Sequence, residues 1–349
     1  MDGRIPLIFC IDVEPDEQVF NPEDPSPWAG FEALAVGSAR LRDRLSKLTG
    51  EPARFAWFLR LDPQIAEAYG DPAWIIDKHR AFFDAAMAMG DAVGVHPHAW
   101  RWERARRVWV ADHKDPGWVE RCMEMSFAAY ESRFEVAPQH HRFGGRFVSE
   151  RVLSTAARLG TRFDLTLEPG EPGVPPGEYL GNVWKGEIPD YRRIPRTPYH
   201  PDRSDFRRPS DDGRGRLWTI PLSSGSVPRG PRQLRVADRL SHPVRTARGV
   251  VRRVGSRLRR PATGGDPGPS YRLLRMWDWP SPIGLWESAF ASLEKLEHHY
   301  LAFAIRSDME PMVDGVMSAL EEHPQARRLV FTTPEDALAR LGLTPGADK

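Results

Sequence analysis

Short apolar runs that end in polar residues recur along this chain. Residues 5–11, IPLIFCI, form the first, and it runs into an acidic loop at Asp12. An unbroken apolar run of this length suits a strand buried on both faces of a parallel sheet. Residues 54–59 (RFAWFL) form a second run, followed by Asp62, which either lines a pocket or caps a helix at Pro63, and Ala92-Val93-Gly94-Val95 form a third, ending at His96. Segments 139–143, 162–167 (RFDLTL, ending at Glu168), 217–222 and 300–305 read as further strands. Between them the apolar spacing becomes helical, predicting helices over 31–48, 74–90, 118–133, 149–159, 310–322 and 334–341. Strands alternating with helices predict a parallel sheet with helices packed outside it. Seven or eight such units favour one closed or nearly closed barrel, a single domain over 1–345. In such folds the chemistry collects on loops at the C-terminal strand ends.

Composition narrows the class. A chain of 349 residues with 40% hydrophobic residues and twelve Trp can bury a large core. A net charge of +1 gives no global signal for nucleic acid. Two cysteines, Cys10 and Cys122, are too few for a disulfide framework and suit a reducing compartment. The N-terminal apolar run is too short for a membrane span and lacks a basic start and cleavage site, so a cytoplasmic protein is expected.

Charge is distributed unevenly. Residues 229–260 hold eleven arginines and one acid, Asp238, a local charge of +10 that leaves the remainder near −9. Prolines and the run ATGGDPGPS bracket this stretch, so 227–270 is expected to be a basic excursion inserted into the barrel. A solvated loop explains it at least as well as a function. Its functional reading is peripheral contact with an anionic membrane, since each basic residue near such a surface contributes roughly 1 kcal/mol. No recognition motif accompanies it, and nucleic acid is not expected as a partner.

Two groups of residues suggest chemistry. His96 and His98 stand two apart at a strand end, so extended backbone projects both imidazoles to one side. Two such imidazoles suit a divalent metal, and an acid from another strand end would complete the site. Asp12, Glu14 and Asp16 follow the first strand and supply such acids. Each group alone has an ordinary explanation: surface histidines, or a solvated acidic turn. A strand-end acid together with a strand-end His pair points to a hydrolase.

These segments resemble the polysaccharide deacetylase family, in the form seen in glycan-biosynthesis branches. FCIDVEPD resembles the family's first motif. The likeness implies Asp12 as general base and Glu14 or Asp16 as metal ligand. GVHPHAW resembles the second motif and implies His96 and His98 as ligands; the commoner family spacing would place the second His at Trp100. HRFGGRFVSERVLSTAARLGTRFDLTLEPG resembles the third and implies Arg142, with Arg146 as a second candidate, as the arginine that braces the base. The likeness spans most of residues 5–308 and implies a distorted (β/α) barrel of about seven strands, a divalent metal such as zinc, and an acetylated sugar or glycan precursor as substrate. RTPYHPDRSDF (196–206) resembles a substrate-side loop, which would put His200 and Asp202 near sugar hydroxyls. The last strand departs from the family. AFAIRSDME carries Arg306 where a proton-donating His is usual, and arginine does not release its proton. Arg306 would instead stabilise an oxyanion, hold an anionic substrate group, or pair with Asp12 and silence the site. A catalytically degenerate protein that binds carbohydrate is therefore the alternative expectation.

Overall fold

The first apolar run forms a nine-residue strand, β1 (Ile5–Val13), every residue of which is buried. In chain order there follow β2 (Ala56–Leu59), β3 (Ala92–Val95), β4 (Trp100–Glu103), β5 (Val108–Asp112), β6 (His140–His141), β7 (Phe163–Asp164), β8 (Gly177–Tyr179), β9 (Asn182–Lys185), β10 (Trp218–Thr219), β11 (Ser224–Ser226), β12 (Tyr271–Leu273), β13 (Leu301–Arg306) and β14 (Leu329–Phe331). The computed structural model describes residues 3–179, 182–210, 215–226, 271–275 and 281–343. The expected excursion 227–270, with its arginine-rich stretch 229–260, lies outside them.

The main sheet runs β10-β7-β6-β3-β2-β1-β13, and β14 pairs with the start of β1. All its strand pairs are parallel. The sheet is a half-barrel surrounded by helices, a distorted (β/α) barrel. Among the described residues its end strands β10 and β13 do not pair with each other as strands; Ser223 N–H donates to Ala302 O at 2.9 Å instead.

Strand alternation sorts the core into two layers. Leu7, Phe9 and Ile11 of β1 pack outward with Phe31, Trp57 and Phe303 under the helices. Ile8 and Cys10 pack inward with Phe58, Phe163, Trp218, Ala302 and Ala304. Side chains repeat every second residue in a strand. The inward rows Ile8-Cys10, Ala56-Phe58 and Ala302-Ala304 therefore continue to Asp12, Arg60 and Arg306 at the sheet's C-terminal edge. The row from Ala92 through Gly94 continues to His96. Gly94 is small because β6 passes close by: a Cβ there would lie 2.3 Å from His140 O.

Several expectations need correction. The helix expected over 74–90 is two, Trp74–Lys78 and Arg80–Ala88, separated at His79, whose φ of −123° is not helical. Helix Pro282–Leu293 was not foreseen, whereas Pro63–Tyr69 starts where Asp62 was read as a possible cap. Nor was a small second sheet foreseen, β4-β5-β9-β8, beside the barrel mouth. No helix among the described residues is long and apolar enough to cross a membrane.

Candidate metal centre

The C-terminal ends of β1, β3, β6 and β13 converge on a cleft of about 170 Å³. Glu14, His96 and His98 meet in it, with one potential ligand atom from each lying within 4.8 Å of the others. His98 Nε2 is 3.0 Å from His96 Nε2 and 3.7 Å from Glu14 Oε2. All three side chains are buried, so none is held there merely by exposure to water.

Each is fixed by its surroundings. His96 Nδ1 donates to the carbonyl of Arg142 at 2.7 Å, which leaves the Nε2 lone pair facing the cluster. This is the usual way a ligating imidazole is oriented. The backbone N–H of His98 donates to Asp62 Oδ2 at 3.0 Å. Gly144 makes room for the His98 ring, since a Cβ at 144 would fall 2.1 Å from it. Glu14 is tied to the end of β13 through its backbone, with Ser307 Oγ donating to Glu14 O at 3.1 Å. Burial lowers the pKa of His96, against the opposing charges of Asp12 and Glu14. Burial lowers that of His98 further, helped by the charge of Arg60. Both imidazoles are therefore neutral near pH 7, as metal ligation requires.

Asp12 stands beside this cluster, its Oδ2 3.8 Å from His96 Nε2. Arg142 Nε donates to both Asp12 oxygens, at 3.0 and 3.1 Å. The same guanidinium donates to Leu165 O at 2.7 Å and to Glu168 Oε1 at 3.3 Å. Burial alone would lower the Arg142 pKa, but the charges of Asp12 and Glu168 outweigh it and the pKa is raised. Arg142 thus stays charged and fixes the Asp12 carboxylate.

Asp16 does not enter the cluster. Its oxygens accept from Ala29 N at 3.1 Å and Gly30 N at 2.9 Å, at the start of the helix Ala29–Thr49. There it satisfies N–H groups that have no partner within the helix and faces the positive end of the helix dipole. Of the two acids left open by the sequence, only Glu14 reaches the histidines.

Arg306 lies at the cleft but does not pair with Asp12 through its side chain. Its Nε is 3.0 Å from Glu14 Oε1 and 2.9 Å from Asp308 Oδ1. Burial would lower its pKa, yet the charges of Glu14 and Asp308 raise it. Arg146 pairs with Glu171 at 2.9 Å and lies 3.8 Å from Glu168, at the cleft's rim rather than on Asp12. His200 is elsewhere: its Nδ1 bonds Leu217 O at 2.9 Å and its ring rests on Trp218. Asp202 accepts from Ser204 and Asp205 in its own turn.

Sequence reasoning missed Arg60 and the role of Trp100, and left Asp62 open between lining the pocket and capping a helix at Pro63. Arg60 is fully buried, with Nε 3.0 Å from Asp62 Oδ2 and Nη1 3.4 Å from Glu14 Oε2, and it also bonds Gln64. Asp62 caps the helix Pro63–Tyr69 and braces the His98 backbone with one carboxylate. Trp100 donates its indole N–H to His98 Nδ1 at 3.1 Å. The inward parity of β2 could have found Arg60; nothing local marks Trp100.

No family model and no curated protein matches the sequence. Solved structures resemble it at low identity. One is of a polysaccharide deacetylase from Mycobacterium smegmatis, at 13% identity and a TM-score of 0.49, covering 99% of this chain and 94% of that one. Another is of an allantoinase, at 11% identity and a TM-score of 0.48, covering 97% and 90%. A third is of a polysaccharide deacetylase from Pseudomonas aeruginosa PAO1, at 12% identity and a TM-score of 0.47, covering 98% and 93%.

Proposed function

We propose that this chain is a metal-dependent hydrolase of the deacetylase type, acting on an acetylated sugar or glycan precursor. The observation that carries the proposal is the convergence of Glu14, His96 and His98 beside an arginine-braced Asp12. One carboxylate and two imidazoles form the donor set of zinc and similar divalent ions. Such an ion supplies Lewis acidity, making water a better nucleophile near pH 7 and polarising an acyl oxygen.

The chain's own residues do the rest. Asp12 accepts the proton of an attacking water. Arg142 donates to both Asp12 oxygens and so fixes which lone pairs face the cleft. Leu222, Leu273 and Leu274 line the cleft and suit the acetyl methyl group. Arg306 cannot protonate a leaving group at working pH, because arginine holds its proton and its carboxylate partners hold it further. Its role is electrostatic: it holds Glu14 and offers positive charge to developing negative charge.

The second reading is a carbohydrate-binding protein without turnover, and the Arg306–Glu14 pair favours it. One experiment separates the two. Purified protein is loaded with zinc, and acetate release is measured on N- and O-acetylated sugars beside calorimetry with the same sugars. Zinc-dependent acetate release supports the hydrolase; binding with no acetate supports the second reading. Neither zinc uptake nor acetate release would remove the first.

The sequence of 229–260 adds a location for this activity: its +10 charge suits the anionic leaflet of a membrane and a lipid-linked substrate. Flotation with anionic liposomes, with and without these residues, tests it. Equal flotation of both forms would dismiss the membrane role.

A further inference from the structure

Resting on the metal reading above, the proton positions around His98 point to a role for Trp100. An indole nitrogen donates and never accepts. The Trp100 N–H, 3.1 Å from His98 Nδ1, therefore requires a lone pair on Nδ1. A neutral His98 then carries its single proton on Nε2, which faces His96 Nε2 at 3.0 Å. His96 has placed its own proton on Nδ1, where it donates to Arg142 O at 2.7 Å. The four groups form one directed chain: Trp100 donates to His98, His98 to His96, and His96 to the Arg142 carbonyl. Every imidazole nitrogen in it has a partner of the right kind, and no proton is left over.

This chain satisfies His96 as a ligand but not His98. To coordinate an ion through Nε2, His98 needs a lone pair there and its proton on Nδ1. Nδ1 would then confront the Trp100 N–H, donor against donor. Trp100 cannot easily turn away. It is buried, its ring lies nearly parallel to His98 at 14°, and its edge meets Trp184 with ring centres 5.7 Å apart.

We propose that Trp100 is a latch on the metal centre, holding His98 in the tautomer that bonds His96 and yielding only when an ion takes His98 Nε2. On uptake the Nε2 proton leaves to water, Nδ1 gains one from water, and the Trp100–His98 hydrogen bond breaks. The His98–His96 bond is replaced by two ligand bonds. Trp100 is thus a positioning residue that sets how tightly the centre holds its ion.

The test compares the unaltered chain with Trp100→Phe, which keeps an aromatic ring and removes the N–H. Zinc affinity is measured by competition with a chromophoric chelator. The variant is expected to bind about tenfold more tightly, the scale of one lost hydrogen bond. Equal or weaker binding by the variant, with zinc still bound by the unaltered chain, overturns the latch and leaves the metal reading standing. Uptake by neither chain removes the metal reading and the latch with it. A second measurement needs no variant: nitrogen-15 spectra of the metal-free chain are expected to show His98 protonated on Nε2. Protonation on Nδ1 overturns the proposal.

Discussion

Arg306 and Glu14 face each other across the ends of two adjacent strands, Nε to Oε1 at 3.0 Å. The parallel register that pairs Asp12 with Arg306 sets this meeting. The carboxylate offered to an ion is thus already held by Arg306, with Arg60 3.4 Å from its other oxygen. A cation and these guanidiniums compete for the same charge. Arg306→Gln is expected to bind zinc roughly tenfold more tightly, the scale of one charge-assisted bond. Its metal-free form should lose about 2 kcal/mol of stability, because Asp308 and Glu14 each lose a partner. Chelator competition and urea unfolding measure the two effects; weaker zinc binding would show that Arg306 helps to build the centre.

Arg306→His addresses turnover. Histidine can give a proton to a leaving group and arginine cannot. Acetate release by the variant should exceed that of the unaltered chain by about a hundredfold, the lower end of general-acid contributions. An unchanged rate would mean that leaving-group protonation does not limit the reaction.

Asp12 is assigned to proton transfer and not to the ligand set. Asp12→Asn should therefore lower acetate release by about a hundredfold or more while leaving zinc content near that of the unaltered chain. Metal analysis alongside the acetate assay reads both. Loss of zinc in step with activity would instead make Asp12 a ligand.

What could be read from the sequence, and what could not, follows from the range of the interactions. β1, β2 and β3 are built on apolar runs, and the polar residues where those runs end, Asp12 near the end of β1 and His96 just after β3, were found by that pattern alone. Arg142 was identified through a resemblance and lands on Asp12. The sequence left Glu14 and Asp16 open because the partners of Asp16, Ala29 and Gly30, belong to a helix that begins thirteen residues later. Glu168, Arg60 and Trp100 owe their roles to contacts across strands, which no local spacing encodes. The side sheet escaped notice although β4 reads WRWE, an aromatic–charged alternation of only four residues that is itself a strand signal.

Breaking the Arg142 fork should be costly. Arg142→Ala leaves Asp12 and Glu168 buried, and Asp12 without its only guanidinium hydrogen bonds among the described residues. Removing one partner of a buried ion pair costs about 3–5 kcal/mol. Urea unfolding of the metal-free protein should show a drop of that order. A change under about 1 kcal/mol, the usual scale of an exposed pair, would mean that the fork is open to water.

His113 gives a pH signature separate from the centre. Burial lowers its pKa from 6.5 to about 3, and its ring stacks on Phe147 with centres 4.5 Å apart. Below about pH 6.5 the unfolded chain takes up a proton that the folded chain refuses. Stability is lost as pH falls from 6.5 toward 3, by about 1.4 kcal/mol per pH unit from this group. His113→Phe keeps the stacking and removes the titration, so its stability should fall less steeply between pH 6.5 and 4. Parallel curves for the two chains would show that His113 is protonated in the folded state.

The most direct test of the metal centre is a zinc-soaked crystal examined by anomalous scattering at the zinc edge. The expected result is one strong peak bonded to Glu14, His96 and His98, with Asp12 adjacent and Asp16 still on its helix. A crystal that shows no peak there, or a peak held by other residues, would contradict the proposed centre and the hydrolytic function built on it.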